Sequence, residues 1–206
     1  MVKHIIFDFD GTLVDSKDAV ISAFNYLAEK YKFKKLDPGN IEFLRKLSII
    51  ERAKFLDFPI YKIPFLVGEM YNLYKQSIKH VNLFSGIRDL LNELEDKGYS
   101  LAIISSNSEE NIREFLSRNQ IDNIKEVFCS SNIFGKDKII KKFLKTYDLK
   151  NSEVIYIGDE KRDIVACKKV GIKVIWVGWG YDAINIVKEE HPDYIVDAPE
   201  EILKIL

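Results

Sequence analysis

Short runs of apolar residues recur along the chain, and segments with helical spacing separate them. The runs that we predict to be strands cover residues 3–6, 101–104, 126–129, 154–157, 172–177 and 194–196. Continuous apolar runs of this length are typical of strands that are buried on both faces. Because strands that alternate with helices form right-handed βαβ units, the sequence predicts an α/β fold with a Rossmann-like parallel sheet as its core.

The segment from residue 14 to residue 83 has helical spacing and no convincing strand. Within it, Ser48 and Glu51 have the spacing of a capping box at the start of a helix. Because the segment follows the first strand, it should lie beside the carboxyl ends of the sheet. We predict that residues 1–13 and 84–206 form the α/β core, and that residues 14–83 form an inserted helical cap.

Composition and charge argue against several classes of function. The chain has 206 residues and a net charge of −1, so nothing in it indicates a surface for nucleic acid or for an anionic membrane. No apolar run is long enough to span a bilayer, and the N-terminus lacks the pattern of a signal peptide. The two cysteines, Cys129 and Cys167, have neither zinc-binding nor redox spacing, which favours a reducing cytoplasm. We expect a cytoplasmic monomer or homodimer that acts on a small molecule.

The first predicted strand runs into two carboxylates, Asp8 and Asp10, followed by Gly11. Ligands of open α/β sheets bind at the carboxyl ends of strands. Residues two apart on a strand point the same way, so both carboxylates can face one site. A cation between them would relieve their repulsion, and Gly11 would let a ligand approach the backbone amides.

Polar residues also follow two later strands and open a later helix. Ser105, with Ser106 and Asn107 after it, offers hydroxyl and amide groups for phosphoryl oxygens. Asp159 and Asp163 lie four residues apart, where a turn that opens into a helix can bring both to one side. Oxygen ligands without histidine favour Mg²⁺. Lys136, at a loop-to-helix junction, can place positive charge against a carboxylate and a phosphate; by itself it is also compatible with a solvated lysine.

These residues resemble, in chain order, the four motifs of the haloacid dehalogenase-like hydrolase superfamily: Asp8-Phe9-Asp10-Gly11-Thr12, Ser105, Lys136, and Gly158-Asp159 with Asp163. The stretch from 160 to 171 and the turn at 179–181 resemble its phosphoglycolate phosphatase-like branch, which has a helical cap after the first strand. Two departures leave alternatives open. Asp137 stands where that branch often has proline, so Lys138 is a second candidate for the lysine. Ser106 follows Ser105, so either hydroxyl is a candidate phosphate ligand.

The resemblance implies a phosphatase mechanism with a covalent intermediate. Asp8 would attack the phosphorus and form an aspartyl-phosphate. Asp10 would protonate the leaving oxygen and then activate water. Ser105 and Lys136 would stabilise charge on the transferring phosphoryl group. Family members that cleave carbon–halogen bonds lack an acid at the position of Asp10, which argues against that chemistry.

The resemblance also implies Mg²⁺ as the cofactor. Its ligands would be the side chains of Asp8 and Asp159, the backbone carbonyl of Asp10 and the substrate phosphate, and Asp163 would support them. A small phosphate monoester is the expected substrate, with phosphoglycolate as the first guess. A pyrophosphatase or phosphosugar mutase of the same superfamily and a non-enzymatic phospho-acceptor module are the alternatives. Arg45, between two predicted cap helices, is a candidate for binding a second anionic group of the substrate.

Overall fold

A computed structural model describes residues 2–130, 132 and 134–206. Its strands are β1 (His4–Phe7), β2 (Val14–Asp15), β3 (Asn82–Leu83), β4 (Ser100–Ser105), β5 (Ile124–Cys129), β6 (Val154–Gly158), β7 (Lys173–Val177) and β8 (Tyr194–Val196). Its α-helices are α1 (Lys17–Tyr31), α2 (Pro38–Leu44), α3 (Ile49–Phe55), α4 (Ile63–Ser77), α5 (Ile87–Asp96), α6 (Glu109–Arg118), α7 (Lys136–Thr146), α8 (Lys161–Val170), α9 (Ile184–Val187) and α10 (Pro199–Ile205). Among the residues described, no helix has the length and apolar composition needed to cross a membrane.

Six parallel strands of the described chain form one sheet in the order β5-β4-β1-β6-β7-β8. The chain builds outward from β1 in one direction through β4 and β5, and then in the other through β6, β7 and β8. A reversal of this kind opens a crevice at the carboxyl ends of the central strands, where ligands bind in doubly wound sheets. The predicted α/β fold with a parallel sheet is therefore confirmed.

Both faces of β1, at the centre of the sheet, are packed, which explains why three consecutive residues of this strand are apolar. Ile5 and Phe7 of β1 belong to the apolar cluster on one face, and Ile6 belongs to the cluster on the other. All three side chains are fully buried. Burial on both sides holds β1 firmly in the centre of the sheet and gives the residues that follow it a rigid base.

Residues 14–83, all of which are described, contribute helices α1 to α4 and no strand to the main sheet. The expectation of no strand here is wrong at the two ends of the segment, where β2 and β3 pair as a short antiparallel ribbon. Two residues per strand are too few for a detectable period. The capping box of α3 is confirmed: the backbone N–H of Glu51 donates to Ser48 Oγ, and Glu51 Oε2 accepts from the backbone N–H of Ser48 at 2.8 Å.

Candidate active site

Asp8 lies at the carboxyl end of β1 and is almost completely buried, with 2% of its surface exposed. The backbone N–H of Asp8 donates to the carbonyl of Ile157 at 2.8 Å, which continues the sheet pairing past the end of the strand. One carboxylate oxygen accepts from the backbone N–H of Phe9 at 2.7 Å, and the Phe9 ring packs edge-to-face on Phe115. The backbone and the core therefore fix the position of this carboxylate.

The second carboxylate oxygen of Asp8 accepts a hydrogen bond from Lys136 Nζ at 2.7 Å. The same ammonium donates to Asp163 Oδ1 at 2.5 Å. Burial alone would lower the pKa of Lys136, but Asp163 and Asp8 outweigh that effect and raise it, so the side chain stays charged. Lys138, in contrast, is exposed. Of the two lysines considered from the sequence, Lys136 is the one that contacts the acidic residues.

Asp10 receives hydrogen bonds from two different parts of the chain. Tyr74 Oη, on α4, donates to Asp10 Oδ1 at 2.7 Å, and Asn107 Nδ2, in the loop after β4, donates to Oδ2 at 2.8 Å. Burial raises the pKa of the Asp10 carboxyl, and hydrogen bonds from Ser16, Tyr74 and Asn107 only partly oppose the rise. Sequence reasoning did not find Tyr74, because a tyrosine at helical spacing indicates packing and nothing in its local sequence marks a site.

Ser105 is the last residue of β4, and the loop that follows it places Asn107 beside Ser105 and turns Ser106 toward α8. Ser105 is buried, and its Oγ accepts from the backbone N–H of Asn107 at 3.1 Å. Ser106 Oγ accepts from Arg162 at 3.2 Å, and the carbonyl of Ser106 accepts from Tyr71 Oη at 2.6 Å. The hydroxyl of Ser105 is therefore bonded to the backbone of the loop that reaches Asp10, whereas the hydroxyl of Ser106 is bonded to Arg162.

Three carboxylates form an acidic cluster, which comprises Asp8, Glu160 and Asp163. Among the described residues, their oxygens lie within 4.8 Å of one another, and the group includes neither Asp10 nor Asp159. Sequence reasoning did not assign Glu160 to the site, although its position directly after Asp159 was an available signal. A donor set made only of carboxylate oxygens fits a hard cation such as Mg²⁺. The acidic cluster thus has the chemistry that the predicted cofactor requires.

Asp159 is fully buried, but both of its carboxylate oxygens are occupied by hydrogen bonds from the protein. Thr12 Oγ1 donates to Oδ1 at 2.8 Å, and the backbone N–H of Tyr181 donates to Oδ2 at 2.6 Å. Burial raises the pKa of Asp159 well above its ordinary value. Gly11 adopts a φ of +79°, and a Cβ at this position would overlap the Asp159 carboxylate. The turn after β1 therefore needs glycine both for its backbone conformation and for this close approach.

The pKa values of Asp163 and Glu160, the other two acids of the acidic cluster, shift in opposite directions. Burial raises the pKa of Asp163 more than the neighbouring Lys136 lowers it. For Glu160, burial acts in the same direction, but Arg162 and Lys136 outweigh it and hold the pKa below its ordinary value. Arg162 Nε donates to Glu160 Oε2 at 2.6 Å. Within the acidic cluster, Asp163 therefore resists ionisation, whereas Glu160 ionises readily.

Arg45 lies against the loop after β7 rather than pairing with an acid of the acidic cluster. Its Nη2 donates to the carbonyl of Gly180 at 3.0 Å, and its Nε donates to the carbonyl of Tyr181 at 3.3 Å. Its carboxylate partner is Glu42, at 3.4 Å. Arg52 pairs with Asp182 of the same loop. In this conformation both arginines join the helical segment to the core.

The fold and the arrangement of these residues define a hydrolase class, and the chain belongs to the haloacid dehalogenase-like hydrolase family, whose model matches residues 5–177. It is 30% identical over 207 residues to a phosphoglycolate phosphatase of Synechococcus elongatus, covering 98% of this chain and 96% of the relative. It is 24% identical to pyrophosphatase PpaX of Bacillus mycoides, covering 100% and 97%. A haloacid dehalogenase-like hydrolase from Streptococcus pneumoniae superposes with a TM-score of 0.83 at 27% identity, covering 99% and 98%. These findings place the chain among the phosphatases of the family.

Proposed function

We propose that this protein is a Mg²⁺-dependent phosphatase that hydrolyses a small phosphate monoester, with phosphoglycolate as the first candidate, through an aspartyl-phosphate on Asp8. Two carboxyls just beyond β1 carry the proposal. Asp8 accepts a hydrogen bond from Lys136 Nζ at 2.7 Å, and Asp10 has its own, separate hydrogen-bond partners. Two carboxyls in different environments can divide the roles of nucleophile and acid.

In the first step, a carboxylate oxygen of Asp8 forms a bond to phosphorus while the bond from phosphorus to the leaving oxygen breaks. Asp10 gives its proton to that leaving oxygen. In the second step, Asp10 takes a proton from water as the water oxygen attacks phosphorus and releases Asp8. The Ser105 hydroxyl and Lys136 balance negative charge on the phosphoryl oxygens, and Gly11, Ser106 and Asn107 border the phosphate.

The residues proposed to hold Mg²⁺ are Asp8 and Asp163, with the backbone carbonyl of Asp10. Either Glu160, which lies in the acidic cluster, or Asp159, which the family resemblance implies, completes the set. When bound, the ion supplies positive charge that offsets the repulsion between the nucleophile and the phosphate. The variants Asp159→Asn and Glu160→Gln separate the two options, because only replacement of the true ligand should weaken Mg²⁺ binding severalfold or more.

The environment of Asp10 supports a monoester over pyrophosphate. An alkoxide is a poor leaving group and needs a proton as the bond to phosphorus breaks, whereas phosphate leaves more easily. Burial raises the pKa of Asp10, which favours the protonated form that such a reaction requires. Pyrophosphate is the second candidate, since relatives named pyrophosphatase PpaX align with the whole chain.

The segment 14–83 is proposed to act as a cap over the site. Its support is that Tyr74 of α4 contacts Asp10 and that Arg52 contacts Asp182 in the core. The short ribbon of β2 and β3 lies where the segment leaves and re-enters the core, a suitable place for a hinge. The cytoplasm and a monomeric or homodimeric state remain part of the proposal.

A phosphate-release assay tests the proposal directly. Purified protein with Mg²⁺ is given phosphoglycolate, glycerol phosphate and pyrophosphate, and the three are ranked by kcat/KM. We expect phosphoglycolate first, no activity in excess chelator, and a loss of at least about a thousandfold in Asp8→Asn. A higher kcat/KM for pyrophosphate would select the second candidate. Conversion of a sugar phosphate without phosphate release would indicate a mutase, and full activity of Asp8→Asn would overturn the mechanism.

A further inference from the structure

The helical segment contacts the proposed acid of the reaction through Tyr74 of α4 and through Ser16, the residue before α1. Tyr74 is 3% exposed, and its Oη lies 2.7 Å from Asp10 Oδ1. The residue lies near the C-terminal end of α4 and is separated from Asp10 by 64 positions in the sequence. A buried tyrosine hydroxyl needs a hydrogen-bond partner, and its partner here is the carboxyl of Asp10, in the turn after β1.

The two oxygens of Asp10 have donors from opposite sides of the site. Tyr74 comes from the helical segment, and Asn107 comes from the loop after β4 in the core. The Asn107 amide is itself fixed, because its Oδ1 accepts from the backbone N–H of Ser108 at 2.7 Å and from Asn111 Nδ2 at 3.1 Å. A single hydrogen bond leaves a carboxyl free to rotate about its χ2, whereas one donor on each oxygen fixes its plane.

The docking of α4 also matters for the loop that is proposed to bind phosphate. Tyr71, one helical turn before Tyr74, donates from its Oη to the carbonyl of Ser106 at 2.6 Å. Its own carbonyl accepts from Asn111 Nδ2 at 3.2 Å. Residues three apart on a helix share a face, so one face of α4 contacts both the turn after β1 and the loop after β4.

We propose that Tyr74 is a positioning residue that fixes the Asp10 carboxyl for proton transfer only while the helical segment is docked on the core. The inference rests on the proposed function, because it assigns Tyr74 a role through Asp10. In the first step, the Asp10 carboxyl must direct its proton at the leaving oxygen. In the second step, the carboxylate must receive a proton from water. The hydrogen bond from Tyr74 maintains one orientation for both transfers, and the hydroxyl itself exchanges no proton with the substrate.

The test compares substrates that differ in their need for an acid. Nitrophenolate leaves without protonation, so 4-nitrophenyl phosphate should phosphorylate Asp8 at the normal rate in Tyr74→Phe. Removal of the phosphoryl group still requires Asp10 to accept a proton from water. In stopped flow, the variant should therefore show a burst of nitrophenolate at the parental rate of phosphorylation, followed by a steady-state rate about 10–100-fold below that of the parent. With phosphoglycolate or glycerol phosphate, both steps should slow and no burst should form.

Tyr71→Phe is the matched control, because it removes a hydroxyl from the same helix face that bonds a backbone carbonyl instead of Asp10. It should alter the aryl and alkyl substrates by the same factor and should produce no burst. Lys75→Met is a second control. It removes an ion pair between α4 and Glu110 on α6, which is largely exposed and should leave both rates unchanged.

Two results would overturn the inference. One is a burst of 4-nitrophenolate that is absent, or slowed as much as the phosphorylation step with alkyl substrates, in Tyr74→Phe, which indicates a structural role. The other is parental steady-state turnover on all substrates. Phe retains the ring that fills this buried position, and thermal unfolding verifies the fold.

A second measurement needs no variant. A crystal structure of the parent with Mg²⁺ and beryllium fluoride, a mimic of the phosphoryl group, should retain the contact between Tyr74 Oη and Asp10. Loss of that contact in the complex would also refute the role.

Asp8→Asn separates this inference from the proposed function. If Asp8→Asn is inactive but Tyr74→Phe behaves like the parent, only the role of Tyr74 is wrong. If Asp8→Asn retains turnover, the aspartyl-phosphate mechanism itself fails.

Discussion

Replacement of Lys136 by methionine tests how strongly the acidic site depends on one ammonium group. The Nζ atom donates to Asp8 and Asp163 at 2.7 and 2.5 Å, and all three side chains are at most 5% exposed. Methionine has a stem of similar length and leaves little cavity, so the main change is the loss of the positive charge. Removing one partner of a buried ion pair costs roughly 3–5 kcal/mol, because the remaining charge is uncompensated.

Urea unfolding in excess chelator at pH 8, above the raised pKa of Asp163, measures this loss. With a slope of about 2 kcal/mol per molar urea, the expected cost lowers the midpoint by about 1.5–2.5 M. Added Mg²⁺ should restore about 2.7 kcal/mol at a hundred times its dissociation constant. Phosphatase activity should remain low in Mg²⁺, because the ion does not replace the charge that Lys136 places against the phosphoryl group.

Lys138→Met is the matched control for this experiment. Lys138 is exposed on the same helix, and a surface substitution of this kind should change stability by less than about 0.5 kcal/mol. A loss in Lys136→Met below about 1 kcal/mol, or an equal loss in Lys138→Met, would refute the argument that the buried ammonium compensates the two carboxylates.

Three further changes have defined outcomes. Gly11→Ala should lower stability by roughly 1–3 kcal/mol in urea unfolding, because of its positive φ and the overlap with Asp159; a neutral result would contradict that geometry. In chelator, the folded pKa of Asp163 is raised to about 7, so the folded state keeps a proton that the unfolded chain loses near pH 4. Stability should therefore fall as pH rises from 4 to 7, by at most about 1.4 kcal/mol per pH unit, relative to Asp163→Asn; a flat difference would refute this. Arg45→Ala should reduce kcat/KM equally for phosphoglycolate and a neutral phosphate ester if Arg45 acts through its bonds to loop carbonyls; a loss confined to phosphoglycolate would support the prediction that it binds the substrate carboxylate.

The sheet and the residues at its edge could be predicted because the signals for them are local. The strands at the centre of the sheet are mostly apolar runs, and the carboxyl ends of β1, β4 and β6 are marked by Asp8, Ser105 and Asp159. The topology of parallel sheets then requires these ends to meet at one edge. The helix starts are also local, as at Ser48, where the capping partner lies three residues away.

The orientation of the side chains within the site was decided by tertiary structure. Asp159 follows β6 as expected, but Thr12 and Tyr181 occupy both of its carboxylate oxygens, while Glu160 lies in the acidic cluster. Neighbouring residues in a turn have similar sequence signals. Which one faces the site depends on backbone dihedrals and on donors that are more than 20 positions away.

The contacts between the helical segment and the core also could not be predicted from the sequence, because they join residues far apart in the chain. In the sequence, Tyr74 is one apolar position of an amphipathic helix, and Arg45 is one of two adjacent basic residues. Helical period defines which face of α4 is buried, but it does not define the partner or the angle at which the helix packs. That choice places the Tyr74 hydroxyl on Asp10 and the Arg45 guanidinium on the loop after β7. It depends on the simultaneous packing of elements far apart in the chain, which no local pattern of residues encodes.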